Sequence, residues 1–89
     1  MSGRATYGVV WSSAAEKGLR KIPPMDQTRI RAAVDALSGN PRPYGVDKVV
    51  VTGEYRIRVG DYRVRYSVDD GAKTVTVNWA GQRKDAYNW

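Results

Sequence analysis

Residues 55–66 read Y-R-I-R-V-G-D-Y-R-V-R-Y, and this stretch decides the fold of the chain. Apolar or aromatic residues alternate with arginine on both sides of Gly60 and Asp61. Alternation with a period of two is typical of a half-buried strand. Glycine followed by aspartate between two such runs predicts a two-residue hairpin loop, with Gly60 at the first central position of a type II′ turn.

This loop places four arginines on one face of the hairpin, with Arg58 opposite Arg63 and Arg56 opposite Arg65. Directly opposed like charges destabilise a sheet. At ~5 Å their repulsion is about 1 kcal/mol in bulk water and about 3 kcal/mol at a protein surface. A polyanion bound across this face would make the electrostatic energy favourable, because each arginine would then lie beside a negative charge. The pattern therefore favours a nucleic-acid backbone as partner. The alternative is a solvated face that serves solubility, although such faces normally mix both signs of charge.

The composition narrows the function. The 89 residues suit a single domain, 1–89, with one modest core. The absence of histidine and cysteine excludes disulfides, a Ser-His-Asp triad and a histidine metal site, and we expect no metal and no cofactor. The net charge is +6, and ten of the fifteen basic residues are arginine, which binds phosphate in a bidentate manner. Nucleic acid or an acidic protein is therefore the expected partner.

The apolar runs are too short for export or membrane insertion. Residues 1–11 do not form a signal peptide, and no stretch approaches the ~20 apolar residues of a membrane span. A chain without cysteine is compatible with a reducing cytosol. We therefore expect a cytoplasmic protein with no membrane partner.

The segment before the hairpin predicts a strand and two helices. Residues 6–11 alternate as a strand, and Ser13 with Glu16 has the spacing of a capping box at a helix start. Pro23-Pro24 ends the first helix and begins the second, and Gly39 suits the position after its end. Each helix carries one apolar stripe. The stripes are Ala15, Leu19 and Ile22 in the first helix, and Ile30, Val34 and Leu37 in the second.

A second hairpin follows the first. Asp70-Gly71 predicts another two-residue turn, and counting outward from it places Asn78 opposite Arg63 on the arginine-bearing face. The same register puts Trp79 on the core face, where packing is favoured over stacking on a base. Pro41, Pro43 and Gly45 predict a loop within residues 40–54, and Val49-Val50-Val51 forms either a short strand or a packed connection.

Together these elements predict an α+β fold with the order β-α-α-β-β-β. The sheet is expected to have four strands and to be antiparallel, but mixed at the first strand. An N-terminal helical hairpin covers one face, and a short C-terminal tail or helical turn ends the chain. The arginine-bearing face stays open.

Three segments resemble the RelE/ParE toxin superfamily of prokaryotic toxin–antitoxin systems. L-R-K-I-P at residues 19–23 is similar to the family's L-x-K-L-P. The stretch at 55–66 is the strongest match, and G-Q-R-K-D-A-Y at 81–87 stands where the family often has G-H-R-x-x-x-Y. The resemblance implies a type II toxin that acts as a metal-independent mRNA interferase of the RelE type. Its expected partners are a cognate antitoxin, the ribosome with mRNA, and operator DNA for the toxin–antitoxin complex.

The resemblance also implies roles for individual residues. The catalytic residues it implies are Arg56, Arg58, Arg63, Arg83 and Tyr87. Arg56 and Arg58 occupy strand positions where RelE has lysines, and Arg63 is expected to clamp phosphate. Arg83 is expected to stabilise the transition state, and Tyr87 to stack on a base or orient the attacking group, unless it packs against the sheet edge. The additional RNA contacts implied are Arg65, Asn78, Gln82 and Lys84.

The departures from the family pattern leave the proton acceptor open. Arginine stays protonated, Gln82 cannot act as a base where relatives have histidine, and the phenol of Tyr87 has a reference pKa of about 10. Catalysis is then mainly electrostatic and positional, or the chain is a weak nuclease. Two other functions remain as alternatives: a ParE-like inhibitor of DNA gyrase on the same fold, and a non-toxic binding module.

Overall fold

The computed structural model describes residues 6–49 and 51–82, and in this part of the chain two α-helices and a five-stranded sheet confirm the α+β fold class. The strand order is β1-β5-β4-β3-β2. The elements are β1 (Gly8–Trp11), α1 (Ser13–Arg20), α2 (Pro24–Asp35), a short 3-10 helix (Ala36–Ser38), β2 (Asp47–Val49), β3 (Glu54–Val59), β4 (Tyr62–Asp69) and β5 (Thr74–Gln82).

The sheet is mixed at its first strand, as predicted, because β1 runs parallel to β5 while the remaining pairs are antiparallel. It has one strand more than the four expected. β2 pairs with the first half of β3 after a turn at Gly53, whose φ is +77°. β2 begins at Asp47, two residues before the segment 49–51 that the sequence left undecided between a strand and a packed connection. Three residues are too few to show an alternating pattern. No helix in the described part is long and apolar enough to cross a membrane.

The first hairpin forms in the predicted register. Gly60 has a φ of +61°, and Val59 pairs with Tyr62 across a two-residue loop. Asp61 keeps a negative φ, as the second central residue of a type II′ turn does. Positive φ is the conformation for which glycine is best suited, so the local chemistry fixes the register of β3 against β4.

The second hairpin does not have the predicted two-residue turn. Asp69 pairs with Thr74, so four residues form the loop. The Asp69 carboxylate accepts a hydrogen bond from the amide of Ala72 at 3.0 Å, and Lys73 takes the positive φ. Aspartate commonly stabilises turns in this way, and here it lengthens the loop. The register is displaced by two residues, which leaves each side chain near the turn on its predicted face.

A β-bulge in β5 then reverses the faces. Tyr66 pairs with Val77, but Arg65 pairs with Trp79, so Asn78 is the extra residue. Beyond the bulge Ala80 points into the core and is 2% exposed. The predicted core position of Trp79 is therefore wrong, and so is the pairing of Asn78 with Arg63, which lies opposite Gly81. The periodicity did not reveal the bulge.

The helices bury the two predicted apolar stripes against the sheet. All six stripe residues are buried and meet side chains from β4 and β5. Tyr66 is the largest of these and is fully buried; its hydroxyl donates to the Pro41 carbonyl at 2.6 Å, and burial raises its pKa to about 12. The open face of the sheet thus lies opposite both helices.

The start of α1 differs by one residue from the prediction, because Ser12 is the N-cap, not Ser13. Its Oγ accepts a hydrogen bond from the amide of Ala15 at 3.1 Å and donates one to the carbonyl of Asn78 at 3.3 Å. Its own amide donates to the carbonyl of Val77 at 3.0 Å. Ser12 therefore caps the helix and also satisfies backbone acceptors beside the bulge in β5.

Gly39 follows the short 3-10 helix with a negative φ of −89°, so it does not form the left-handed cap for which glycine is favoured. Pro24 occupies the first turn of α2 as predicted.

Candidate nucleic-acid interface

Four arginines lie on the sheet face opposite the helices, and we call this surface the arginine face. Arg58 pairs directly with Arg63 and Arg56 with Arg65, as the hairpin predicts. Arg58 is exposed and the other three are half-buried. The four predicted residues are thus brought together on β3 and β4.

The inner pair of the arginine face, Arg56 and Arg65, lies further from the Gly60 turn, and carboxylates of the same chain partly neutralise its charge. Glu54 Oε1 lies 3.4 Å from Arg65 Nε, and these side chains are 15% and 23% exposed. Glu54 Oε2 accepts a hydrogen bond at 2.6 Å from the Asn78 amide group, which also donates to Ser67 Oγ at 2.8 Å. Asp47 in β2 stands opposite Arg56. Carboxylates therefore offset part of the positive charge at this end.

The outer pair, Arg58 and Arg63, lies beside the Gly60 turn, and no carboxylate in the described part of the chain neutralises it. Neither Arg58 nor Arg63 forms an ion pair with any residue in 6–49 or 51–82. Arg63 donates through Nη1 to the carbonyl of its neighbour Tyr62 at 3.1 Å, which fixes the side chain without changing its charge. Two directly paired arginines beside the hairpin turn provide planar guanidinium donors, which suit a phosphate group.

Arginines on other surfaces contrast with this pair, because three of them are bound to carboxylates. The clearest is Arg42, which makes two hydrogen bonds to Asp70, at 2.8 and 3.2 Å. These bonds and one from the hydroxyl of Tyr7 hold the pKa of Asp70 below its usual value. The ion pairs are Arg29 with Asp26, Arg31 with Glu16, and Arg42 with Asp70. The outer pair therefore stands out as a surface for a foreign anion.

The remaining predicted site residues are distributed as follows. Gln82 is exposed and pairs with Tyr62 at the end of β5. The amide group of Asn78 is occupied by Glu54 and Ser67, and its role as an RNA contact stays a prediction. Arg83, Lys84 and Tyr87 lie outside the described residues.

Sequence reasoning missed two features of the arginine face. The first is the network around Glu54, which spans three strands and leaves no local pattern in the sequence. The second is Trp79, which the bulge turns onto this face opposite Arg65. Gly81, two residues further on, is the one signal that accompanied it, because glycine inside a strand often marks a close approach.

Taken together, the arginine face can bind a polyanion by charge and by bidentate hydrogen bonds. Since the chain has no histidine, the face has no side chain with an ordinary pKa near neutrality. Any chemistry on it would rely on positioning and on stabilisation of negative charge.

Comparisons with known proteins agree on one family. The sequence model described as the ParE toxin of the type II toxin–antitoxin system parDE matches residues 9–85. A chain of the archaeal RelE–RelB complex from Pyrococcus horikoshii OT3 is 33% identical, with 88% of this chain and 96% of that chain covered and a TM-score of 0.78. A chain of the RelBE2 toxin–antitoxin complex from Mycobacterium tuberculosis is 26% identical, with coverages of 88% and 99% and a TM-score of 0.78.

The isolated RelE toxin of E. coli shares the fold, with a TM-score of 0.76 over 92% of each chain and 22% identity. A comparison with curated proteins gave no match.

Proposed function

This chain belongs to the ParE toxin family of type II toxin–antitoxin systems, and from this premise we propose that it is a ribosome-dependent endoribonuclease of the RelE type that cleaves mRNA in the A site. The observation that carries the proposal is the outer arginine pair, Arg58 and Arg63, at the exposed end of the arginine face. The identity of 33% to a chain of the archaeal RelE–RelB complex adds support.

In the proposed reaction the ribose 2′-hydroxyl attacks the adjacent phosphate and the bond to the 5′-oxygen breaks. The products are a 2′,3′-cyclic phosphate and a 5′-hydroxyl, and the 2′ proton leaves to an acceptor while the 5′-oxygen gains one. Negative charge builds up on the pentacoordinate phosphorane between these steps. Guanidinium groups of Arg58 and Arg63 would stabilise that charge, as cationic clamps do in other phosphoryl transfers.

The proposed rate enhancement is mainly electrostatic and positional. Arg56 and Arg58 replace lysines of RelE and cannot accept a proton. In the inner pair, Arg65 lies 3.4 Å from Glu54 and Arg56 stands opposite Asp47, so this pair is better suited to orienting the backbone than to binding the reacting phosphate. Arg83 and Tyr87 complete the proposed catalytic set, with Tyr87 orienting the attacking group.

The proposed partners follow from the same surface. Several structural neighbours are toxin–antitoxin complexes, and we propose a cognate antitoxin whose acidic or amphipathic segment covers the arginine face. An antitoxin placed there would block RNA by occupying its binding surface. Operator DNA bound by the complex, and a cytoplasmic location, belong to the same proposal.

A second candidate function is inhibition of DNA gyrase, because the matching family is that of the ParE toxins. In this case the protein would bind an enzyme and would cleave nothing. Supercoiling assays with purified gyrase separate the two functions, since a RelE-type nuclease leaves supercoiling unchanged.

The test of the first proposal is primer extension on messages from cells that express the protein. The wild type should give in-frame cuts within translated codons, and Arg58→Ala and Arg63→Ala should remove them while folding normally. The matched control is Arg20→Ala, which removes an exposed arginine from the helical layer and should leave the cuts intact. Identical cuts from all four proteins would reject the assignment of the site, and an absence of cuts with the wild type would reject the nuclease.

A further inference from the structure

The side chain of Trp79 lies on the arginine face because of the bulge at Asn78. Val75 and Val77 are fully buried, and unbroken alternation along β5 would bury residue 79 as well. The extra residue instead sends Ala80 into the core and sets Trp79 opposite Arg65. Bulges often re-aim a side chain next to a functional site.

Gly81 allows the indole ring to lie along the sheet. A Cβ atom at this position would come within 2.6 and 2.7 Å of the ring atoms Cζ2 and Cη2 of Trp79. Any side chain there would therefore lift the ring off the strand. Gly81 does not have a positive φ, so its backbone does not require glycine, and glycine inside a strand weakens it. Glycine is needed at position 81 because only the absence of a side chain leaves room for the ring of Trp79.

The resulting arrangement is an indole beside guanidinium groups. Gly81, over which the ring lies, stands opposite Arg63, and Trp79 itself stands opposite Arg65. Among the described residues Trp79 is half-buried and belongs to neither cluster of the hydrophobic core. A large aromatic ring placed flat on a basic sheet is the arrangement with which proteins bind single-stranded nucleic acid: the cations follow the backbone and the ring stacks on a base.

We propose that Trp79 is a stacking platform for one base of a single-stranded RNA whose backbone is held by Arg63 and its neighbours. The proposal rests on the proposed function, since it needs RNA on the arginine face. Stacking accepts every base because every base has a π-face. The platform therefore adds affinity and positions the strand without reading the base edges.

The experiment compares a short single-stranded RNA with a ribose–phosphate chain of the same length that lacks bases, using fluorescence anisotropy at one salt concentration. The proteins are wild type, Trp79→Ala, Trp79→Phe and, as a matched apolar control on the same face, Val10→Ala. Val10 is 52% exposed and pairs with Thr76. Circular dichroism and thermal unfolding establish that each variant is folded.

The platform predicts a selective loss. Trp79→Ala should bind RNA about 5- to 150-fold more weakly, the range measured for loss of one stacked base, and should bind the abasic chain as the wild type does. Trp79→Phe should retain most of the RNA affinity, and Val10→Ala all of it. If Trp79→Ala does not fold, Gly81→Ala serves instead, since it displaces the ring and should reduce only the base-dependent part of the affinity.

Three results would overturn the platform: equal RNA affinity of Trp79→Ala and wild type, equal losses for both ligands, or no gain from bases in the wild type. The last of these leaves backbone binding by the arginine face intact. Base-dependent binding without any ribosome-dependent cleavage would support the platform and reject the nuclease. A wild type that binds neither ligand would reject both.

Discussion

The repulsion between Arg58 and Arg63 should appear as an unfavourable coupling in the free protein. The perturbation is a double-mutant cycle made of Arg58→Gln, Arg63→Gln and the double variant, with the free energy of unfolding measured for each. The cycle cancels the effect of each substitution alone and leaves the interaction between the two side chains.

The expected magnitude follows from the pairing of the two residues. Directly opposed Cβ atoms lie about 4.5–5.5 Å apart, and splayed guanidinium groups at ~10 Å would repel by about 0.4 kcal/mol in water and about 1.7 kcal/mol at the dielectric of a protein surface. We expect a coupling of about 0.5–1 kcal/mol at low salt, between these limits. It should vanish at about 1 M salt, where the Debye length is ~3 Å.

The assay is urea unfolding at about 0.01 M and about 1 M salt. The internal control is a second cycle on Arg56 and Arg65, where the coupling should be smaller because Glu54 lies 3.4 Å from Arg65. A coupling at Arg58 and Arg63 that is zero, attractive or insensitive to salt would refute the claim that this surface is destabilised in order to bind anions.

Three further predictions concern the scaffold. Ser12→Ala should lower the free energy of unfolding by about 1–2 kcal/mol, at the upper end for a helix cap, because Ser12 also donates to the carbonyl of Asn78; a loss below about 0.5 kcal/mol in urea unfolding would contradict this double role. Gly18→Ala should destabilise by about 1–3 kcal/mol despite its better helix propensity, since the new Cβ would overlap the carbonyl of Ala80, and an unchanged melting temperature would contradict this contact. The folded-state pKa of Tyr66 is raised to about 12, above the unfolded value of about 10. The contribution of Tyr66 to the free energy of unfolding is therefore complete below pH ~10, and it is lost as the pH rises through the folded-state pKa. Alkaline unfolding curves of Tyr66→Phe that keep the wild-type pH dependence would contradict this.

The parts of the fold that the sequence predicted are those set by local chemistry. The register of the first hairpin depends on one glycine at positive φ, and the two helices depend on one apolar stripe each. The loop of the second hairpin was predicted wrongly, because the side chain of Asp69 accepts a hydrogen bond from the amide of Ala72 and stabilises a four-residue loop. The bulge was not predicted, because Ser12, which donates a hydrogen bond to the carbonyl of the bulged residue Asn78, lies 66 residues away in sequence.

The candidate site divides in the same way. Four arginines share a face because period-two alternation and one turn dictate it, and this was readable in residues 55–66. The neutralisation of Arg65 by Glu54 depends on a side chain that reaches Asn78 on β5. The position of Trp79 depends on the bulge, and one inserted residue reverses every later side chain in a strand. Only the three-dimensional structure carries this information.

The most direct test of the central claim is the salt dependence of binding to single-stranded RNA. The logarithm of the affinity should fall linearly with the logarithm of the salt concentration, with a slope of about −0.7 for each phosphate neutralised. If Arg58 and Arg63 each bind one phosphate, the double variant Arg58→Gln/Arg63→Gln should show a slope shallower by about 1.4. A slope identical to that of the wild type would contradict the claim that this arginine pair holds the RNA backbone.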